Sequence, residues 1–117
     1  MVSKFGIFMR DFRERNGESL RAMASRMGIS AAFLSAMEVG RKRIPIEYAK
    51  TIKDAYNLNE EEYALLHTSI METNNKVEIE IQKMNESQKE LSMVFARKIE
   101  NADPELIEKL KEVLGEK

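Results

Sequence analysis

The sequence predicts a mainly α-helical chain, with five short helices followed by a strand and two further helices. Apolar residues recur at intervals of three and four through most of the chain, and residues that favour helix ends separate these periodic stretches. From residue 77 to residue 81 the interval changes to two, which is typical of a half-buried strand. We therefore divide the chain into a helical domain, residues 1–73, and a strand-helix-helix segment, residues 74–117.

The first three predicted helices are short and closely connected. Helix one covers residues 4–15, and its apolar face is made by Phe5, Phe8, Met9 and Phe12. Only three residues join helices two and three, and each of these helices has a serine at its N-cap, Ser19 and Ser30. So short a link requires a residue that tolerates positive φ, here Gly28, and a small residue where the helices approach, here Ala24.

The remaining helices are predicted from their caps and their periodicity. Pro45 suits the first turn of a fourth helix, and Asn59 suits the N-cap of a fifth helix whose first turn is acidic. Two last helices are expected at about residues 87–101 and 104–114, and Asp103 would cap the second of them.

The predicted strand is formed by Val77, Ile79 and Ile81, which alternate with polar residues. A single strand leaves backbone donors and acceptors unpaired, so it needs a neighbouring strand. Its copy in a second subunit would supply one, in a two-fold contact that the last two helices complete. We therefore predict a homodimer with the contact residues Val77, Ile79, Ile81, Leu91, Phe95 and Leu110. The alternative is that this segment folds back on its own helical domain.

Composition argues against several classes of protein. The chain has no cysteine, so it offers no disulfide, no thiolate nucleophile and no Cys-based zinc site. Its one histidine, His67, cannot by itself form a transition-metal site. No nucleophile with an adjacent base accompanies the acidic residues 60–62, so we expect neither catalysis nor a cofactor. No apolar stretch reaches the roughly 18 residues of a membrane span, and no signal peptide is evident, so we expect a cytoplasmic protein.

The charges are distributed unevenly, although the formal net charge is -1. Residues 1–57 carry 11 Lys and Arg against 6 Asp and Glu, whereas residues 58–117 carry 8 against 14. This asymmetry indicates that the first half faces an anionic partner and that the second half has a different role.

Two stretches of the chain carry a family resemblance: FMRDFRERNG and, after it, SLRAMASRMGISAAFLSAMEVGRKRIP. Together they resemble the Cro/C1 (XRE) family of helix-turn-helix transcriptional regulators. This resemblance implies a lambda-repressor-like five-helix DNA-binding domain and a homodimer that binds operator DNA with inverted half-sites. It also implies that Arg10 pairs with Glu38 and fixes the recognition helix to the first helix. Because such regulators are common in phages, prophages and other mobile elements, we expect a nucleoid-associated regulator of that kind, and the choice between a repressor and an activator stays open.

Two groups of residues are predicted to contact DNA. Carried over from the family, the base readers are Ala31, Ala32, Ser35 and Ala36, with Phe33 either at the groove edge or in the core. Phosphate contacts are expected from Ser19 and Ser30 at helix N-termini, and from Arg21, Arg41, Lys42 and Arg43. The alternative for the basic run at 41–43 is a solvated turn. Alanine offers only apolar contact to thymine methyl groups, so specificity would lean on Ser35, on water or on DNA shape.

A second function stays open for the acidic half of the chain. An antitoxin or adaptor would bind a partner protein through residues 74–117 and use the helix-turn-helix to autoregulate its operon. Co-purification from the native host separates the two functions, because a stoichiometric partner protein favours the second.

Overall fold

The computed structural model describes residues 1–116, which contain seven α-helices, and so confirms the mainly helical class. The helices are α1 (Lys4–Asn16), α2 (Leu20–Met27), α3 (Ala31–Glu38), α4 (Tyr48–Tyr56), α5 (Glu60–Asn74), α6 (Glu86–Lys98) and α7 (Pro104–Val113), with a 3₁₀ turn at Ile99–Asn101. They fall into two compact units, one of Met1–Glu78 and one that begins at Ile79. None of the described helices is both long and apolar enough to cross a membrane.

Most of these helices begin with the same kind of N-cap. A serine, asparagine or aspartate precedes the first helical residue, and its side-chain oxygen accepts the backbone N–H three residues further on. The residues that do this are Ser3, Ser19, Ser30, Asn59, Asn85 and Asp103. Each such cap contributes about 1 kcal/mol, which is substantial for helices as short as α2 and α3.

The helix α4 begins three residues after Pro45, so the prediction that Pro45 lies in its first turn is wrong. The Pro45 carbonyl instead accepts the N–H of Tyr48, at 3.0 Å, in a turn that precedes the helix. The flanking residues Ile44 and Ile46 are both buried. Residues two apart point to different sides of a helix, so a non-helical segment is needed to place both isoleucines in the core.

The core of the first unit is enclosed by α1 to α5. Helix α1 packs against α3 and α5, and α2 packs against α3 and α4. The buried apolar residues are Phe5, Met9, Phe12, Met23, Ala24, Met27, Leu34, Met37, Ile44, Ile46, Ala49, Ile52, Leu58, Leu66 and Ile70. Methionine is frequent among them because its unbranched side chain fills the irregular gaps between short helices. This packing holds α3 in place through its contacts with α1 and α2.

The predicted strand of Val77, Ile79 and Ile81 is wrong, because residues 76–81 have no regular secondary structure. Helix α5 ends at Asn75 in a left-handed conformation, with φ 54°, and the chain then continues as an irregular segment. Val77 is 69% exposed and Ile79 is 50% exposed. A strand forms only beside another strand, and residues 1–116 provide no segment that could pair with this one.

The second unit contains α6 and α7 and buries none of the residues of these two helices. Apolar side chains of both helices instead line a groove between them: Leu91, Val94, Phe95, Ile99, Leu106 and Leu110. Leu91 is 68% exposed, which is unusual for a residue on the apolar face of a helix. The apolar face predicted for each helix is therefore present, but this unit alone does not cover it.

Candidate nucleic-acid interface

The helix pair α2 and α3 is joined by a turn that depends on Gly28. This residue ends α2 in the left-handed region, with φ 76° and ψ 26°, where a residue with a Cβ is strained. The N–H of Gly28 donates to Ser25 and that of Ile29 donates to Ala24, at 3.1 and 3.0 Å, so the last carbonyls of α2 are satisfied. Ala24 is buried, and its small side chain permits the close approach of α3.

The helix α3 has an inner face and an outer face of different character. Leu34 and Met37 are fully buried on the inner face. On the other side Ala32 is exposed, while Ala31, Phe33, Ser35 and Ala36 are half-buried. Phe33 packs edge-on against Tyr48, with 6.3 Å between ring centroids, so its ring is partly covered by α4. Apart from Phe33, the outer face is thus built from small side chains.

The two serines at the helix N-termini use their hydroxyl groups within the protein. The hydroxyl of Ser19 accepts the N–H of Ala22 at 3.0 Å, and that of Ser30 accepts the N–H of Phe33 at 3.1 Å. Other N–H groups of each first turn have no acceptor inside the helix and can bind a phosphate oxygen. Arg21 is exposed in the first turn of α2, so a cation lies next to one of these sites.

The basic run after α3 is exposed, and a hydrogen-bonded side chain holds the loop that carries it. Arg41, Lys42 and Arg43 all lie on the surface. The next residue, Ile44, donates its N–H to Oδ1 of Asn74 at 2.9 Å, and its carbonyl accepts Nδ2 of Asn74 at 2.7 Å. The side chain of Asn74 therefore replaces a backbone partner and ties the loop to the end of α5. No sequence pattern identifies this pair, because the two residues are 30 positions apart.

A buried carboxylate connects the last turn of α3 to α1. Glu38 is 1% exposed and accepts hydrogen bonds from both terminal nitrogens of Arg13, one of them at 3.0 Å. Arg10, the partner expected from the family resemblance, adds a longer contact of 3.3 Å from Nε to Oε1 of Glu38. The side chain of Arg13 is only 12% exposed and that of Arg10 is 48% exposed. Arg13 is therefore the main partner, and the sequence-based prediction did not include it.

The backbone of the same residue is held as well. The carbonyl of Glu38 accepts both the N–H and the hydroxyl of Ser3, each at 2.9 Å. Gly6 lies so close that a Cβ at this position would be 2.2 Å from the Glu38 oxygen. A glycine inside a predicted helix was the available signal for this contact, because it often marks a close approach of backbone. Helix α1 therefore fixes both the side chain and the backbone at the end of α3.

A second ionic group joins the start of α2 to α4. Glu18 accepts hydrogen bonds from the Tyr56 hydroxyl and from Arg26, whose guanidinium also lies 4.9 Å above the Tyr56 ring. Burial acts to raise the pKa of Glu18, but these hydrogen bonds and the charge of Arg26 outweigh it and lower the pKa. Burial and the hydrogen bond to Glu18 raise the pKa of Tyr56. Glu18 is therefore held as a carboxylate beside a neutral phenol, which anchors α2 at its N-terminal end.

Comparison with known protein families gives a match over the first part of the chain. A family model described as a helix-turn-helix domain matches residues 4–66, which is more than half of the chain. No curated protein and no solved structure gives a significant match. The matched range contains α1 to α4 and the first part of α5, with the α2–α3 pair near its middle. The chain therefore belongs to this helix-turn-helix domain family, which is typical of XRE-like DNA-binding regulators.

Proposed function

We propose that the protein is a transcriptional repressor, of phage or mobile-element type, that binds operator DNA with α3 in the major groove. The observation that supports this most is the contrast between the two faces of α3. The inner face is buried, and the outer face around Ala32 is open and is followed directly by the cations of residues 41–43. Small side chains let a helix lie deep in the groove, and flanking cations bind the phosphates on either side.

The mode of sequence recognition follows from the small size of these side chains. Ala31, Ala32 and Ala36 can contact thymine methyl groups, and Ser35 alone can donate or accept a hydrogen bond at a base edge. Such a surface discriminates less between bases than one with Gln, Asn or Arg. We therefore propose that DNA shape and deformability contribute a large part of the specificity.

Removing the cations of the basic run tests the phosphate contacts. Arg41→Ala combined with Arg43→Ala is expected to weaken binding to all duplexes alike and to lower the log-log salt slope by about 1 to 2, since each phosphate contact contributes about 0.9. The measurement is a fluorescence titration over a range of salt, on duplexes selected from random DNA and on unselected ones. We expect the selected duplexes to contain inverted half-sites about one helical turn apart.

The matched control changes the net charge equally, but in the second unit and not in the unit that contains α3. Lys109→Ala with Lys111→Ala removes two exposed cations of α7 and should leave the salt slope unchanged. Absence of any wild-type binding to duplex DNA at low ionic strength would refute the proposed function. An equal effect of both pairs would refute the assignment of Arg41 and Arg43.

We also propose a homodimer formed through the second unit. Two helices that bury none of their own residues need a partner, because units of fewer than about 40 residues rarely fold without one. A second copy fits this requirement, since a two-fold contact pairs the same apolar face with itself. The proposed contact residues are those predicted from the sequence, without strand pairing: Ile79, Ile81, Leu91, Phe95 and Leu110 of the second unit, and Val77 just before it.

Deleting residues 79–117 is expected to give a monomer, measured by sedimentation, because the first unit keeps its own core. The deletion starts after Glu78 so that Asn74 can still bind Ile44. In the full chain Phe95→Ser should weaken the dimer, whereas Ala96→Ser, at the next and exposed position, should not. A dimer that survives the deletion would assign dimerisation to the first unit.

The acidic composition of the second half favours one further candidate function. An antitoxin or adaptor would cover the same apolar groove with a partner protein in place of a second copy. A full chain that is monomeric alone and purifies with a stoichiometric partner from its host would favour this candidate. In either case we propose no catalytic role and a cytoplasmic, nucleoid-associated location.

A further inference from the structure

The three cations that follow α3 are not equivalent. Arg41 and Lys42 are exposed, and neither forms an ion pair within the described part of the chain. Arg43 forms an ion pair with the carboxylate of Glu78, which also lies 3.9 Å from the ammonium of Lys76. One of the three proposed phosphate-binding groups is therefore already occupied by an anion of the same chain.

The position of Glu78 follows from the way the first unit ends. Asn75 terminates α5 in the left-handed region, and the N–H of Lys76 returns to the carbonyl of Met71 at 3.0 Å. Just before this point, the side chain of Asn74 holds both backbone groups of Ile44. The chain that leaves α5 is thus tied beside the basic loop, and Glu78 meets Arg43 there.

We propose that Glu78 competes with DNA phosphate for Arg43 and so sets the affinity of the helix-turn-helix for DNA. Arg43 must exchange a carboxylate for a phosphate when the duplex binds, so part of its attraction to DNA is cancelled. Since Glu78 belongs to the segment that leads to the second unit, any contact that withdraws this segment would release Arg43 and strengthen DNA binding. This inference rests on the proposed DNA-binding function.

The test uses the full chain and a fluorescent duplex of random sequence at low salt. Glu78→Gln removes the charge but keeps the shape, and it should tighten binding about two- to fivefold, the range expected for one exposed ion pair. The gain should be similar on a selected operator, because Arg43 is assigned to phosphate and not to bases. It should shrink as salt is added, because exposed charges are screened.

Two controls separate competition from a general change of charge. Glu80→Gln removes the same charge from an exposed residue two positions further on and should change the affinity less. In an Arg43→Ala background, Glu78→Gln should have no larger effect than Glu80→Gln, because the cation that pairs with Glu78 is absent.

The outcomes distinguish this inference from the function on which it rests. If the wild-type chain binds no duplex, both fail. If it binds and Glu78→Gln has no more effect than Glu80→Gln, or acts equally in the Arg43→Ala background, only the competition is overturned.

Discussion

Replacing Glu38 with alanine is expected to lower the free energy of unfolding by about 3–5 kcal/mol. Its carboxylate is almost fully buried and binds both terminal nitrogens of Arg13, which is itself largely covered. The substitution leaves that guanidinium without its partner in a site that water reaches poorly, so the cost of its desolvation is no longer offset. Since the total free energy of unfolding of a small domain is about 5–15 kcal/mol, a large part of the stability would be lost.

The comparison of two arginines makes this prediction specific. Arg10→Ala should cost less than about 1 kcal/mol, because Arg10 is half exposed and its contact with Glu38 is long. Arg13→Ala should cost nearly as much as Glu38→Ala, since it leaves the carboxylate buried without its main partner. Urea denaturation of the three variants gives these values from the transition midpoints. Equal costs for Arg10→Ala and Arg13→Ala would show that the contact of Arg10 with Glu38 stabilises the fold as much as that of Arg13 does, which would contradict this prediction.

The sequence was sufficient for features that are set by local chemistry. Ser19, Gly28 and Ser30 each act within one helical turn, through a cap or a positive φ, and their spacing alone identifies the α2–α3 pair. The mainly helical class follows for the same reason, because the three- and four-residue periodicity is a property of neighbouring positions.

The features that the sequence did not predict depend on packing between distant segments. Both Arg10 and Arg13 contact Glu38, and they lie only three residues apart on α1. Which of them makes the closer contact is decided by how α1 crosses α3. The pairing of Asn74 with Ile44 depends in the same way on where α5 ends.

The predicted strand fails for a related reason. Alternation of Val77, Ile79 and Ile81 is a local pattern, but a strand also requires a second segment in register beside it. The pattern indicates which side chains could share a face. It contains no information on whether a partner segment exists within the chain.

Introducing a negative charge on the outer face of α3 should have the largest effect on DNA binding. Ala32 is exposed on this face, opposite the buried Leu34 and Met37, so Ala32→Glu can be accommodated without disturbing the core. In the proposed complex the new carboxylate would enter the groove and face phosphates and base acceptors. Like charges brought together at an interface cost several kcal/mol, so we expect the affinity to fall at least tenfold on every duplex.

The control for this substitution is an identical change elsewhere in the first unit. Ala64→Glu adds the same charge at an exposed position of α5, outside the α2–α3 pair, and should change the affinity much less. Both variants should keep the helical content and the urea midpoint of the wild type, since neither side chain is buried, so a loss of binding reports on contact and not on folding. Wild-type affinity in Ala32→Glu, with Ala64→Glu unaffected as well, would mean that this face of α3 does not enter the groove. The family membership would then stand, but the DNA contact would have to be assigned to another surface of the first unit.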